Sequence, residues 1–145
     1  MTVDSTRTSW LRPVLLGLLT QALGLLTALL VTTAYATYLA FQARGTPNQS
    51  LISQFAASST PWVMPVVAIV LAFVFSLRLA KKAPRQAIAL GIVVGLSSSV
   101  FAAVPALVLH SHLGLYSALE ATSLLVASWV GAVLGLSRTS GREAV

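Results

Sequence analysis

Few side chains in this sequence can do chemistry, and they gather in one place. The run "LVLHSHLGLYSALEATS", Leu107 to Ser123, holds both histidines, His110 and His112, and Glu120, the one carboxylate between the acids near the chain ends, Asp4 and Glu143. Three chemistries are open to Glu120. It can bond a neighbouring helix or a partner subunit, it can carry a proton or a cation, or it can share a metal ion with His110 and His112. The metal reading needs an unwound "HSHLG" turn, because residues two apart do not share a helical face. The sequence has no cysteine, which removes thiolate metal sites, disulfides and thiol redox chemistry. No metal site and no cofactor are expected.

Gln21 is the other strongly polar side chain set inside an apolar run. A bond from it to another helix is the ordinary outcome, since such bonds are common and contribute only about 0.6–2 kcal/mol. Thr20, Thr27 and the triplet Ser97–Ser99 can satisfy their hydroxyls on their own helix backbone. There is no G-x-S-x-G, no phosphate-binding glycine loop, no H-E-x-x-H and no pair of carboxylates. An enzyme is therefore not expected. Any site here combines His110, His112, Glu120 and Gln21 as polar or cation-handling groups.

The elements that position these residues follow from composition. Hydrophobic residues make up 57% of the 145 positions and charged residues 8%, against the roughly 25% charge of soluble domains. The net charge of +6 does not point to nucleic acid, because the nine basic residues sit at the ends of apolar runs. A helix needs about 20 apolar residues to cross roughly 30 Å of hydrocarbon. Four segments qualify, at about residues 13–40, 61–79, 87–110 and 115–136, with residues 41–60 as an external loop. The expected fold is an all-α integral membrane protein, one transmembrane domain over residues 1–145, built as an antiparallel four-helix bundle. Strands of a barrel would alternate in polarity, and these runs do not.

Basic residues orient the spans. Arg7 and Arg12 precede the first, Arg78, Lys81, Lys82 and Arg85 join the second and third, and Arg138 and Arg142 follow the fourth; Arg44 alone lies on the other side. The positive-inside rule places both termini and the "RLAKKAPR" turn in the cytoplasm, in a plasma (inner) membrane. The aromatic residues agree, with Trp10 at the inner boundary and Tyr35, Tyr38, Trp62 and Tyr116 near the outer one. The first run, despite an "AYA" triplet at Ala34–Ala36, is longer than a signal-peptide core and is expected to stay as a helix. In the external loop, "NQS" at Asn48–Ser50 matches a glycosylation sequon, and Leu51, Ile52 and Phe55 can form one amphipathic turn on the membrane surface.

Helices in lipid associate through small residues and polar bonds. Gly91 and Gly95 form a GxxxG pair on the third helix, and Ala127, Gly131 and Gly135 share a face of the fourth with Glu120. Gly17, Gln21 and Gly24 have similar spacing on the first helix, and Pro105 should kink the third near its outer end. The expected function is non-enzymatic. It rests on helix–helix association in the lipid bilayer, as a subunit or accessory factor of a membrane complex or as a homo-oligomer. The alternative is a small oligomeric proton- or cation-coupled transporter that uses Glu120.

Overall fold

The computed structural model describes residues 10–108 and 115–140. Within them the chain is all-helical: α1 Leu11–Ala43, α2 Gln49–Lys82, a 3-10 turn Pro84–Gln86, α3 Ala87–Val108 and α4 Leu115–Ser140. All four α-helices are long and apolar enough to cross a membrane. Long runs of Leu, Ala and Val favour helix here because it satisfies every backbone donor and acceptor within the segment. The hydroxyls join this internal economy. Thr20 donates to the Leu16 carbonyl at 2.8 Å, Thr27 to Leu23 at 2.8 Å and Thr32 to Ala28 at 3.0 Å.

The segment read as an external loop, 41–60, is mostly helix. α1 ends at Ala43, where Arg44 takes a left-handed conformation (φ 48°), and α2 already begins at Gln49. Asn48 starts α2 as its N-cap: its Oδ1 accepts from the Ser50 backbone N–H at 3.0 Å and from the Ser50 hydroxyl at 2.8 Å. The sequon asparagine is thus engaged in capping. Pro61, which looks like a helix start, lies inside α2, as does Pro65. A proline in a helix interior costs about 3 kcal/mol, so this longer helix needs support from outside itself. That support comes from α1. Ile52, Phe55, Ala56, Ser59 and Thr60 are the partly buried positions of this extension, and the Phe55 ring stacks on Tyr35 with centroids 3.9 Å apart. The amphipathic turn of Leu51, Ile52 and Phe55 is therefore a continuation of α2 leaning on α1. At the other end, α3 runs through Pro105 to Val108, so this proline does not end the helix.

The pairing of helices follows from their close contacts. Gly24 of α1 lies against Met64 and Ala68 of α2, while Tyr35 meets Phe55, so α1 and α2 are antiparallel. Gly91 lies against Ser128 and Ala132, Gly95 against Leu125 and Ser128, and Ser99 against Ala121, which makes α3 and α4 antiparallel. Gly131 meets Phe73 and Gly135 meets Leu77 and Ala80, so α2 and α4 run parallel. Among the described residues α1 and α4 do not touch. Both pack against the central α2–α3 pair, and the four helices form a flattened rhombus.

Size sorting in this bundle is the reverse of a soluble core. On α1 and α2 its buried positions are mostly small or polar, with Ala68, Ala72, Ser76 and Ala80 at every fourth residue of α2 and Gly17, Thr20, Gln21, Gly24 and Ala28 on α1, while Leu90 and Val94 of α3 and Leu124 of α4 are the large apolar side chains it buries. Large apolar side chains point outward, as at Leu29 (60% exposed) and Leu30 (59%) on α1. In water this outer surface would be a severe aggregation hazard. In lipid, small residues let the backbones approach and leucine loses nothing by facing acyl chains.

α1 and α2 also outrun a bilayer. At 1.5 Å per residue, 33 and 34 residues span about 50 Å each, against roughly 30 Å of hydrocarbon.

Candidate functional site

Two polar places stand out in the bundle, and they lie on different helix pairs. The first joins α1 to α3. Gln21 is buried, and its Nε2 donates to the Ser98 carbonyl at 3.1 Å. The Ser98 hydroxyl donates back to the Gly17 carbonyl at 3.3 Å. Gly17 makes this exchange possible, because a Cβ there would lie 2.9 Å from the Ser97 Cβ and 3.0 Å from the Ser98 nitrogen. The Gln21 Oε1 is buried without a hydrogen-bond partner, as is the Ser76 Oγ on α2.

This knot reads as structural. Gln21 gains one bond and leaves one carbonyl oxygen unpaired, and an unpaired buried acceptor costs about 1–3 kcal/mol. Replacing Gln21 by leucine removes both together. We expect Gln21→Leu to change stability by less than about 1 kcal/mol, measured as the unfolding midpoint in mild detergent. A larger loss would mean that the amide has a second partner.

The second place contains Glu120. Its side chain is half-buried and lines a partly open cleft of about 270 Å³ between α3 and α4, with Ser99, Ala102 and Ala103 on one wall and Ser117, Ala118 and Ala121 on the other. The carboxylate has no hydrogen-bond partner among the described residues, while its backbone carbonyl accepts from Ser123 at 2.8 Å. The Ser99 hydroxyl is committed to the Gly95 carbonyl at 2.9 Å and reaches across to Ala121 at 3.4 Å. Glu120 is five residues into α4, which puts it about 7–8 Å from that helix end. It is the only carboxylate among the described residues.

The residues singled out from the sequence thus have separate surroundings. Gln21 sits on α1 against α3, and Glu120 opens into the α3–α4 cleft. Gly131 and Gly135, on the stripe that includes Glu120, instead press against α2, where a Cβ on Gly131 would collide with the Phe73 carbonyl oxygen and one on Gly135 would come 2.9 Å from the Leu77 oxygen. Gly91 and Gly95 face α4. His110 and His112 lie outside the described residues, and within those residues no three His, Cys, Asp or Glu side chains converge. Ser98, expected to satisfy its hydroxyl on its own helix, instead donates to α1, and Ser76 is a core polar group that the sequence did not single out. Ser98 carries a legible signal, being seven residues after Gly91 on the same helix face, whereas Ser76 has none beyond its i+4 spacing from Ala72.

Together these features define an all-helical protein with four helices long and apolar enough to cross a membrane. No family model, curated protein or solved structure matches the chain.

Proposed function

We propose that this chain is a multi-pass protein of the plasma (inner) membrane, with both termini and the Arg78–Arg85 turn cytoplasmic, that acts without enzymatic activity through helix–helix association. It serves as a subunit or accessory factor of a membrane complex, or assembles with itself. The outward-facing leucines, the small-residue interior and the clustering of basic residues at one end of the bundle support the membrane placement.

One observation carries the association: Glu120, half-buried in the α3–α4 cleft, has no described partner. A carboxylate near the lipid boundary is costly, and a hydrogen-bond donor on an incoming helix relieves that cost. The small residues lining the cleft, Ala102, Ala103, Ala118 and Ala121, leave room for such a helix to approach.

A second reading has support from the same place. A cleft of about 270 Å³ beside a carboxylate has room for several water molecules, which suits a proton- or cation-coupled carrier that loads at Glu120. Glu120→Gln separates the two. On the association reading, the variant folds but loses most of its co-purifying partner or its self-association in mild detergent, and vesicles show no proton-coupled flux with either protein. If the variant keeps its assembly and abolishes a flux that the unaltered protein supports, the carrier reading replaces it.

A further inference from the structure

The densest charge on the molecule lies at the other end of the bundle from Glu120. Arg12 opens α1, Arg78, Lys81 and Lys82 close α2, and Arg85 sits in the 3-10 turn; all five are exposed. Because α1 and α2 are antiparallel with Gly24 against Met64 and Ala68, Arg12 falls at about the level of Arg78. No described carboxylate lies at this end, since Glu120 is near the start of α4.

The geometry of the turn makes this more than a charged tail. The Ala83 N–H donates to the Leu79 carbonyl at 2.9 Å, and the Gln86 N–H donates to the Ala83 carbonyl at 3.1 Å. Ala80 and Ala87 flank the turn and are buried, at 0% and 1% exposure, and the turn touches α2, α3 and α4. Four cations within eight residues are thereby held on a fixed backbone. The backbone share of their ordering cost is met in folding, which favours binding of a multivalent or densely presented anion.

The surroundings say which anion. Beside the cations the surface is apolar, with Leu11, Trp10 and Ile88 exposed. A free phosphate would use only the charges. A phospholipid uses both, with its headgroup phosphate at the cations and its acyl chains along the apolar side chains.

We propose that the end of the bundle formed by Arg12, Arg78, Lys81, Lys82 and Arg85 is a docking site for anionic phospholipid headgroups. The inference rests on the membrane reading given under Proposed function. It goes beyond orientation, because residues that merely direct insertion have no further work once the helices are in place, whereas a headgroup site holds lipid at equilibrium.

Native mass spectrometry of the full chain, purified in mild detergent and offered equal phosphatidylglycerol and phosphatidylcholine, tests it. The unaltered protein should retain phosphatidylglycerol about tenfold over phosphatidylcholine, the factor expected when one or two basic residues, at roughly fivefold each, act on the single charge of one headgroup. The triple variant Lys81→Gln/Lys82→Gln/Arg85→Gln should lose the preference, and Arg44→Gln should keep it. Should the triple variant fail to fold, the same ratio measured on the unaltered protein should fall toward one as ionic strength rises from about 0.1 to about 1 M. Equal retention of the two lipids, a preference that survives the triple substitution or the salt, or full displacement of lipid by millimolar inorganic phosphate would overturn the site. The placement is read separately: Ser50→Cys should label from outside intact vesicles, and failure there overturns the orientation while the lipid ratio stands on its own.

Discussion

Replacing Gly131 with valine is expected to split the bundle between α2 and α4. Gly131 sits against the α2 backbone itself, with the Phe73 carbonyl oxygen too close for any Cβ and the Phe73 Cα and carbonyl carbon each 3.2 Å from where that Cβ would be. A backbone carbonyl inside a helix cannot rotate away as a side-chain end can, so the two helices must separate. Separation also disturbs the next contact, where Gly135 allows Leu77 and Ala80 their close approach. Overpacking of this kind costs about 1–3 kcal/mol, and the parallel α2–α4 pair sets it at the upper end because two glycines share the interface. The measurement is the unfolding midpoint in mild detergent, with Gly45→Ala as control. Gly45 has open space around its Cβ direction, apart from the Ala43 oxygen at 3.8 Å, and its substitution should be near neutral. An unchanged midpoint for Gly131→Val would mean that α2 and α4 do not lie this close.

Gly17→Val is expected to release α1 from α3, with a loss of about 2–3 kcal/mol. A side chain at Gly17 meets the Ser97 hydroxyl and, behind it, the Ser98 backbone nitrogen at 3.0 Å. The Ser97 hydroxyl can turn, but the α3 backbone cannot. Moving α1 outward also breaks the exchange of bonds between Gln21, Ser98 and Gly17, and it strands the Gln21 amide in the core. Gly24→Ala provides the graded comparison on the same face. Its nearest neighbours are the Met64 oxygen at 3.2 Å and the Met64 Cγ at 3.4 Å, so a shift of a few tenths of an ångström suffices and the cost should be well under that of Gly17→Val. Because α1 does not touch α4, accessibility labelling should show α1 loosened and the α3–α4 pairing kept. Equal losses at Gly17 and Gly24 would contradict the close α1–α3 approach.

Legibility differed among elements for identifiable reasons. The four apolar runs were plain because membrane-length hydrophobicity is a local property, summed over about 20 residues. The start of α2 was misplaced by twelve residues, from Gln49 to Pro61. Pro61 imitates a helix start, while the residues before it are too polar to read as part of a span. The signal that is present is Asn48 after Pro47, a capping asparagine that also happens to open a sequon triplet. The Tyr35–Phe55 stack, a contact between residues 20 apart in sequence, is one of the contacts that hold this extension against α1.

For the candidate site, residue type pointed to Glu120 and Gln21, since any strongly polar side chain in an apolar run is conspicuous. Their partners were not readable. Glu120 and Gly131 share a stripe by helical spacing, but one opens into a cleft with α3 and the other presses on α2. A single stripe on α4 thus meets different neighbours along its length, since α4 packs against both α2 and α3.

The sequence by itself therefore determined that four long apolar helices form and which of their positions are small or polar, because hydropathy and helical spacing act within one segment. Only the tertiary structure decided that α1 and α4 stay apart on opposite sides of α2 and α3, that α2 reaches back to Asn48, and that Glu120 has a cleft while Gln21 has Ser98. Those outcomes depend on which backbones approach closely enough to use their glycines and alanines, and every helix here carries such residues. Spacing shows a helix where it can be approached, and three-dimensional packing selects what approaches it.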